Sequence, residues 1–155
     1  MSPRLQLGQP APVLDLLNQD RRPVTLADLR GQRVIVYFFP KAFTPGCTTE
    51  LCDFRDRQPA LQTAGYTVLG VSADDPDRLA EFRSANHTHH DLLSDPDGTA
   101  ARLWGAFGPK VVNGQQTEGI LRSTFVIDTE GLVTSADYEV DATDHVSQLS
   151  IQLGV

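Results

Sequence analysis

Cysteine is scarce in this chain of 155 residues, which contains only Cys47 and Cys52. Two cysteines are too few for a disulfide framework, and a cysteine pair in a cytosolic protein is more often catalytic or metal-binding. Long apolar runs are missing too, because none approaches the ~20 residues of a membrane span. The first residues also lack the apolar region of a secretory signal. We therefore expect a cytoplasmic protein.

Positive charge is also in short supply. The formal net charge is −7, and the acidic residues are spread along the chain instead of forming a tail. Such a surface repels nucleic acid phosphates and offers no basic anchor for anionic lipid. The composition therefore argues against nucleic acid and membranes as partners.

The length and the order of the elements predict one α/β domain over residues 1–155. Apolar β-rich runs at residues 34–39, 67–72 and 92–93 alternate with helical patterns at 45–63, from 75 onward, and 99–104. Two strands at 13–17 and 23–26 predict an N-terminal hairpin, which is followed by a helical turn at 26–31. A second hairpin is predicted at 124–128 and 132–135, before a last helix at 141–153. This order describes a central mixed β-sheet with helices on both faces and an antiparallel edge.

One cysteine stands where a helix is predicted to begin. Residues 34–39 form a six-residue apolar run that is typical of a strand buried on both faces. Thr44, Pro45 and Gly46 then read as the turn that starts a helix, so Cys47 lies in its first turn. The positive end of the helix dipole and the free backbone N–H groups there favour a thiolate. This placement indicates thiol redox chemistry.

Further groups could assist such a thiolate. Thr44 can turn its hydroxyl toward the sulfur or toward a bound oxygen. Arg122 is a candidate cation, because it directly precedes the strand at 124–128 and has no obvious acidic partner nearby in the sequence. On a continuous helix the Cα atoms of Cys47 and Cys52 are ~8.6 Å apart. A disulfide rarely spans more than ~7 Å, so a bond between them requires the first turns to unwind.

The region 38–52 resembles the active-site segment of the peroxiredoxins. Pro40, Thr44 and Cys47 match the pattern P-x-x-x-T-x-x-C, and Cys52 is typical of the Q-type branch, also called bacterioferritin comigratory protein. The segments 70–74, 92–95 and 122–128 follow in the family's order, as does the C-terminal segment that contains His145.

The resemblance implies a thioredoxin-like fold and a thiol-dependent peroxidase that reduces hydrogen peroxide and organic hydroperoxides. It implies that Cys47 is the peroxidatic cysteine and that Cys52 is the resolving cysteine. Thr44 and Arg122 would activate the thiol and bind the peroxide, and Pro40 would shield the pocket. It also implies that Gly46 and Glu50 belong to the substrate site, where Glu50 would orient the arginine or transfer a proton. Thioredoxin or a similar dithiol protein would recycle the enzyme, a monomer that needs no metal, haem, flavin or nucleotide.

Other interpretations remain open at this point. Cys52 could be a packed helix residue, in which case an external thiol would resolve Cys47, and Thr44 could be a helix cap. The same cysteine switch could serve a redox sensor or a holdase. A thioredoxin-type reductase would want C-x-x-C spacing, and the usual zinc ligand spacing is missing. His87, His89 and His90 read as a solvated loop with adventitious metal binding as the alternative, and His145 as a structural hydrogen-bonding group.

Overall fold

A seven-stranded mixed sheet forms the centre of the computed structural model, which describes residues 4–112 and 114–155. Its strand order is β2-β1-β5-β4-β3-β8-β9, and a separate two-stranded hairpin pairs β6 with β7. The strands are β1 (Asp15–Asn18), β2 (Pro23–Thr25), β3 (Arg33–Phe38), β4 (Tyr66–Ser72), β5 (Asp91–Ser94), β6 (Phe107–Val112), β7 (Gln115–Ile120), β8 (Ser123–Ile127) and β9 (Val133–Asp137).

The helices are α1 (Pro45–Thr63), α2 (Pro76–Ala85), α3 (Thr99–Leu103) and α4 (His145–Leu153), and a 3₁₀ helix covers Ala27–Leu29. Side chains of α1, α2 and α4 pack on one face of the sheet, against alternate residues of β3 such as Ile35 and Tyr37. The other face packs against α3 and Trp104, through Val36, Phe38 and their neighbours. Helices therefore cover both faces, which explains why β3 is apolar throughout its buried length.

The pairing of β3 decides where the site can form. It runs parallel to β4 and antiparallel to β8, and Phe38 lies opposite Ser123. The carboxyl end of β3 and the amino end of β8 therefore meet at one edge of the sheet. The residues just after β3 and just before β8 are brought together there, although more than seventy positions separate them in the chain.

Most of the predicted elements are present. Both hairpins, the 3₁₀ turn and the predicted order of strands and helices are found, and α1 has the predicted bounds. The last helix begins at His145 instead of residue 141, because residues 142–144 form a turn. The β6–β7 hairpin was not predicted. Its second strand, Gln115–Ile120, is exposed and mainly polar, so it lacks the apolar alternation that signals a strand.

In the part of the chain that the structure describes, none of the helices has the length and apolar character needed to span a bilayer.

Candidate active site

The segment that leaves β3 is held in a tight conformation. The carboxylate of Asp74 accepts hydrogen bonds from the backbone N–H of Ala42 at 2.8 Å and from the hydroxyl of Ser72 at 2.7 Å. Phe43 adopts a left-handed backbone with φ of 66°, a conformation that is uncommon for a bulky residue. The Asp74 contact therefore stabilises an unusual turn just before α1.

Cys47 lies in the first turn of α1 and is 2% exposed. Thr44 occupies the N-cap position in an extended conformation, but its side chain accepts no hydrogen bond from the helix. Its hydroxyl donates instead to the carbonyl oxygen of Lys41 at 2.8 Å. Thr44 is therefore at the N-cap position, as one interpretation expected, but it does not cap the helix through its side chain, and its hydroxyl proton is directed to Lys41 and not to the sulfur. The oxygen retains lone pairs that can accept a hydrogen bond.

Arg122 bridges the sulfur and a buried carboxylate. Its Nη2 lies 3.2 Å from the Sγ of Cys47, and its Nη1 donates to Oε1 of Glu50 at 2.7 Å. The sequence suggested an arginine without an acidic partner, and this is wrong. Glu50 follows Cys47 by three positions, so both side chains lie on the same face of α1 and both meet the guanidinium.

Glu50 is fully buried, which is unusual for a carboxylate. Its pKa is raised to about 7, mainly because the carboxyl is buried. The charge and hydrogen bond of Arg122 oppose this rise, and the charge of Asp53 adds to it. Its second oxygen, Oε2, has no hydrogen-bond partner among the described residues. That oxygen lies 3.3 Å from Nε2 of His145. The carboxyl therefore titrates near neutral pH inside the site.

His145 begins α4 and is buried beside Glu50. Its Nε2 lies 2.7 Å from the hydroxyl oxygen of Thr124, so the prediction of a hydrogen-bonding histidine is confirmed. Burial lowers the pKa of His145 to about 4; Asp137 opposes this shift, and Arg122 adds to it. The contact with Glu50 was not predicted. Only the tertiary packing of α4 on α1 brings these two residues together.

The unpredicted hairpin supplies a second cation, Lys110 on β6. Its Nζ donates to the carbonyl oxygen of Ile120 at 3.0 Å, two residues before Arg122. Burial lowers the pKa of Lys110, Cys47 opposes the shift, and the Arg122 charge adds to it. A lysine next to a proline, in a strand that was not predicted, carries no local sequence signal of a position beside Arg122.

Cys52 lies farther along the same helix and is half-buried. Its Sγ lies 3.6 Å from the side-chain oxygen of Asn86, which follows α2. Both cysteines are free thiols, and α1 is continuous through both positions. The spacing of ~8.6 Å expected from helix geometry therefore applies, and this form of the protein has a folded helix between two separated thiols.

Gly46 precedes Cys47 and lies close to the Arg122 guanidinium. A Cβ on Gly46 would lie 3.2 Å from Nη2 of Arg122 and 3.4 Å from the Cβ of Ala142. Glycine therefore leaves room for the guanidinium beside Cys47. Pro40 is half-buried directly after the apolar run 34–39.

The histidine tract divides into two environments. His87 and His89 are exposed, whereas His90 is buried and its Nε2 is 2.6 Å from the hydroxyl of Tyr37. The prediction that all three form a solvated loop is wrong for His90, because it packs beneath the sheet residue Tyr37. Within residues 4–112 and 114–155, no group of three potential metal ligands is found.

The fold and the site define a class of protein. A buried thiol at a helix N-terminus, with a guanidinium 3.2 Å away, is suited to stabilising a thiolate and the negative charge of an attacked oxygen. The sheet places this thiol at the carboxyl end of a central strand. These features are those of a thiol-based redox enzyme with a thioredoxin-like fold.

Comparison with known proteins identifies the family. The chain belongs to the AhpC/TSA family, whose model matches residues 7–136. It is 49% identical over 152 residues to a putative peroxiredoxin of Mycobacterium tuberculosis, an alignment that covers 98% of this chain and 97% of the relative. The predicted family and enzyme class are therefore confirmed, and the protein is a thiol-dependent peroxidase.

Solved structures agree with this assignment. The bacterioferritin comigratory protein of Xanthomonas campestris superposes with a TM-score of 0.85 at 33% identity, covering 91% of this chain and 90% of that chain. A cysteine-to-serine variant of peroxiredoxin Q from Xylella fastidiosa superposes with a TM-score of 0.91 at 26% identity, covering 98% and 97%. The predicted thioredoxin-like fold is confirmed.

Proposed function

We propose that this peroxidase reduces hydrogen peroxide and organic hydroperoxides through Cys47 and resolves the product through Cys52. The observation that carries this proposal is the 3.2 Å contact between Nη2 of Arg122 and the Cys47 sulfur. The alkyl peroxide reduction activity of the Xanthomonas bacterioferritin comigratory protein supports organic hydroperoxides as substrates.

In the first step, the Cys47 thiolate attacks the terminal peroxide oxygen. A sulfur–oxygen bond forms as the oxygen–oxygen bond breaks, and the leaving oxygen takes a proton and departs as water or an alcohol. Arg122 and the free N–H groups at the start of α1 stabilise the charge that develops along the breaking bond. Cys47 becomes a sulfenic acid.

The residues around the thiol have separate tasks in this step. The Thr44 hydroxyl accepts a hydrogen bond from the peroxide, since it donates its own proton to the backbone carbonyl oxygen of Lys41. Glu50 orients Arg122 through the 2.7 Å ion pair and exchanges a proton. Gly46 leaves space for the guanidinium, and Pro40 shields the pocket from water.

In the second step, Cys52 attacks the sulfenic sulfur. A disulfide forms, and hydroxide leaves and is protonated to water. Because the two residues are five positions apart on one helix, the first turns of α1 must unwind before the sulfurs can bond. A dithiol protein such as thioredoxin then reduces the disulfide by exchange.

We further propose that the enzyme acts as a monomeric single domain over residues 1–155 in the cytoplasm. A disulfide that must be reduced in each cycle requires a compartment with a pool of reduced dithiol proteins. Size-exclusion chromatography with light scattering of both redox forms tests the monomer.

Peroxide titration tests the cysteine roles. One equivalent of hydrogen peroxide is added to the reduced wild type, Cys52→Ser and Cys47→Ser, followed by intact mass and free-thiol counts. The wild type should lose two hydrogens and both thiols, and Cys52→Ser should gain one oxygen. Cys47→Ser is the matched control and should keep its mass and its one thiol.

Other outcomes separate the alternatives. A wild type that gains one oxygen and keeps the Cys52 thiol would replace the resolving role of Cys52 with resolution by an external thiol. Disulfide formation without steady-state peroxide turnover, tested with a panel of dithiol proteins, would favour a redox sensor or a holdase. If both thiols persist, the proposed chemistry at Cys47 is wrong.

A further inference from the structure

A continuous line of contacts leads from the Cys47 sulfur to the last helix. Arg122 touches the sulfur and Glu50, Glu50 lies 3.3 Å from Nε2 of His145, and that same nitrogen lies 2.7 Å from the hydroxyl oxygen of Thr124. The Glu50 and His145 side chains are 0% and 5% exposed. The proposed chemistry uses Cys47, Arg122 and Glu50, whereas His145 has no assigned part.

The position of Nε2 limits what it can do. A neutral imidazole nitrogen carries either one proton or one lone pair, and burial keeps His145 neutral at neutral pH. If Nε2 carries the proton, it can donate to an ionised Glu50. If Nδ1 carries the proton, Nε2 can accept a hydrogen bond from a protonated Glu50. In this structure Nε2 lies closer to the Thr124 hydroxyl oxygen, at 2.7 Å, than to Oε2, at 3.3 Å, and Oε2 has no hydrogen-bond partner among the described residues. A small movement of the imidazole toward Glu50 would give Oε2 a partner in either charge state.

We propose that His145 is a positioning residue, which holds Glu50 against Arg122 and exchanges a proton with it. The proton state of Glu50 then sets how much of the Arg122 charge is available to the Cys47 sulfur. When Glu50 is ionised, its carboxylate and the thiolate both attract the guanidinium. When Glu50 is protonated, the carboxyl is neutral and the guanidinium charge acts mainly on the thiolate. When Nε2 gives its proton to Glu50, Nδ1 takes one from water, so the imidazole stays neutral and changes tautomer; the reverse transfer returns a proton to water. His145 lines a polar surface groove of about 470 Å³ through which that water can arrive.

Other charged groups surround this pair. Asp53 on α1 raises the pKa of Glu50, and Tyr37 on β3 lies close enough to Glu50 for the carboxylate to raise its own pKa, although burial dominates that shift. Asp137 at the end of β9 opposes the shift of His145. None of these three groups is hydrogen-bonded to Oε2 in the described structure. His145 is not hydrogen-bonded to Oε2 either, but its Nε2 lies only 3.3 Å from that oxygen, so we expect its removal to change the environment of Oε2 most.

Nuclear magnetic resonance of labelled side chains tests the proposal directly. Glutamate labelled with ¹³C at the carboxyl reports five residues, and Glu50→Gln identifies the Glu50 signal. The titration is repeated in His145→Leu, which has no donor, and in His145→Gln, which keeps an amide N–H. A hydrogen bond to the ionised carboxylate is stronger than one to the neutral acid, so its loss in His145→Leu should raise the Glu50 pKa by about one unit or more, and His145→Gln should stay near wild type.

Two results would overturn the positioning role. One is a Glu50 pKa in His145→Leu that is unchanged, or that falls because water enters. The other is measured in the wild type by ¹⁵N-histidine spectra, in which Nε2 of His145 should lose its proton as Glu50 gains one. If the protonation of Nε2 does not change while Glu50 titrates, proton exchange is ruled out. This second measurement applies even if His145→Leu does not fold.

The effect on chemistry rests on the proposed function and is measured separately. The pH dependence of the rate of peroxide consumption should contain a Glu50 step, which moves upward in His145→Leu with the nuclear magnetic resonance titration. If the Glu50 pKa rises in His145→Leu but the pH dependence of the rate does not change, the proposed influence of Glu50 on the reactivity of Cys47 is wrong. A wild type that consumes no peroxide would refute the proposed function, and the Glu50–His145 coupling would be judged by the spectra alone.

Discussion

At the scale of single residues, the site depends on how one guanidinium is shared. Arg122 lies between the Cys47 sulfur and the Glu50 carboxyl, with contacts of 3.2 Å and 2.7 Å. Charge-assisted hydrogen bonds are among the stronger polar contacts in proteins and depend on geometry. Small displacements of the arginine should therefore change reactivity more than stability.

Gly46→Ala should displace Arg122 from the sulfur, because the added Cβ would lie only 3.2 Å from Nη2. Losing much of a charge-assisted hydrogen bond, worth about 1.5–3 kcal/mol, should slow the reaction with peroxide by about tenfold or more. Stopped-flow measurement of the second-order rate constant checks this. Thr49→Ala, at an exposed position of the same helix, is the control and should react like wild type. A Gly46→Ala rate equal to wild type would contradict the argument.

At the scale of elements, α1 carries both thiols and stays helical from Pro45 to Thr63. The segment before α1 is held by the contact of Ala42 with Asp74, and the first turns are held by the contacts of Arg122 with Cys47 and Glu50. Farther along, Phe54 stacks on Tyr37 with ring centroids 4.4 Å apart, which anchors the middle of the helix. The first turns can therefore open while the rest of α1 stays packed.

Oxidation to the disulfide should remove amide protection at the start of α1. Hydrogen exchange of reduced and peroxide-treated wild type should show faster exchange over residues 45–55 after oxidation, with little change over 56–63. The Cys52→Ser variant, treated in the same way, should keep its protection. Equal exchange over 45–55 in the reduced protein and in the disulfide form would refute the unwinding.

At the scale of the whole molecule, buried titratable groups make stability depend on pH in two directions. Burial lowers the pKa of His90 to about 3, with Arg83 and His89 acting in the same direction, and that of His145 to about 4. The two histidines do not reduce the stability of the fold above about pH 6.5, where they are neutral in the unfolded chain as well. As the pH falls from there through the folded pKa values, the unfolded chain binds protons that the folded protein does not, and stability is lost. Glu50 acts in the opposite sense, because its raised pKa of about 7 makes stability fall as the pH rises from about 4.5 to 7.

His90→Gln should therefore reduce the loss of stability in acid. Glutamine can keep a hydrogen bond to Tyr37 but does not titrate, so the difference in unfolding free energy between about pH 7 and pH 4 should shrink by on the order of 3 kcal/mol. Urea denaturation at the two pH values checks this. His87→Asn is the control, since His87 is exposed and asparagine tolerates its φ of 53°. If His90→Gln loses as much unfolding free energy between the two pH values as the wild type does, the prediction is contradicted.

Local sequence patterns predicted most elements because these carry strong local signals. The apolar run at 34–39, the Pro45 start of α1 and the Asp75-Pro76 start of α2 each follow from backbone chemistry within a few residues. The β6–β7 hairpin was missed because its exposed polar strand buries little on either face. The premise that Arg122 lacks an acidic partner failed because it considered only neighbours in the sequence.

By itself, the sequence determined a thiol at the start of a helix after a buried strand, a second thiol five positions on, and the family to which these belong. Those features depend on spacing, which a sequence contains. The tertiary structure alone decided that Glu50 and Cys47 share Arg122, that His145 meets the unpartnered oxygen of Glu50, and that His90 is buried. The contacts of Arg122 and His145 join the residue before β8, α4 and α1 across many positions, and they follow from strand register and helix packing, which no local pattern specifies.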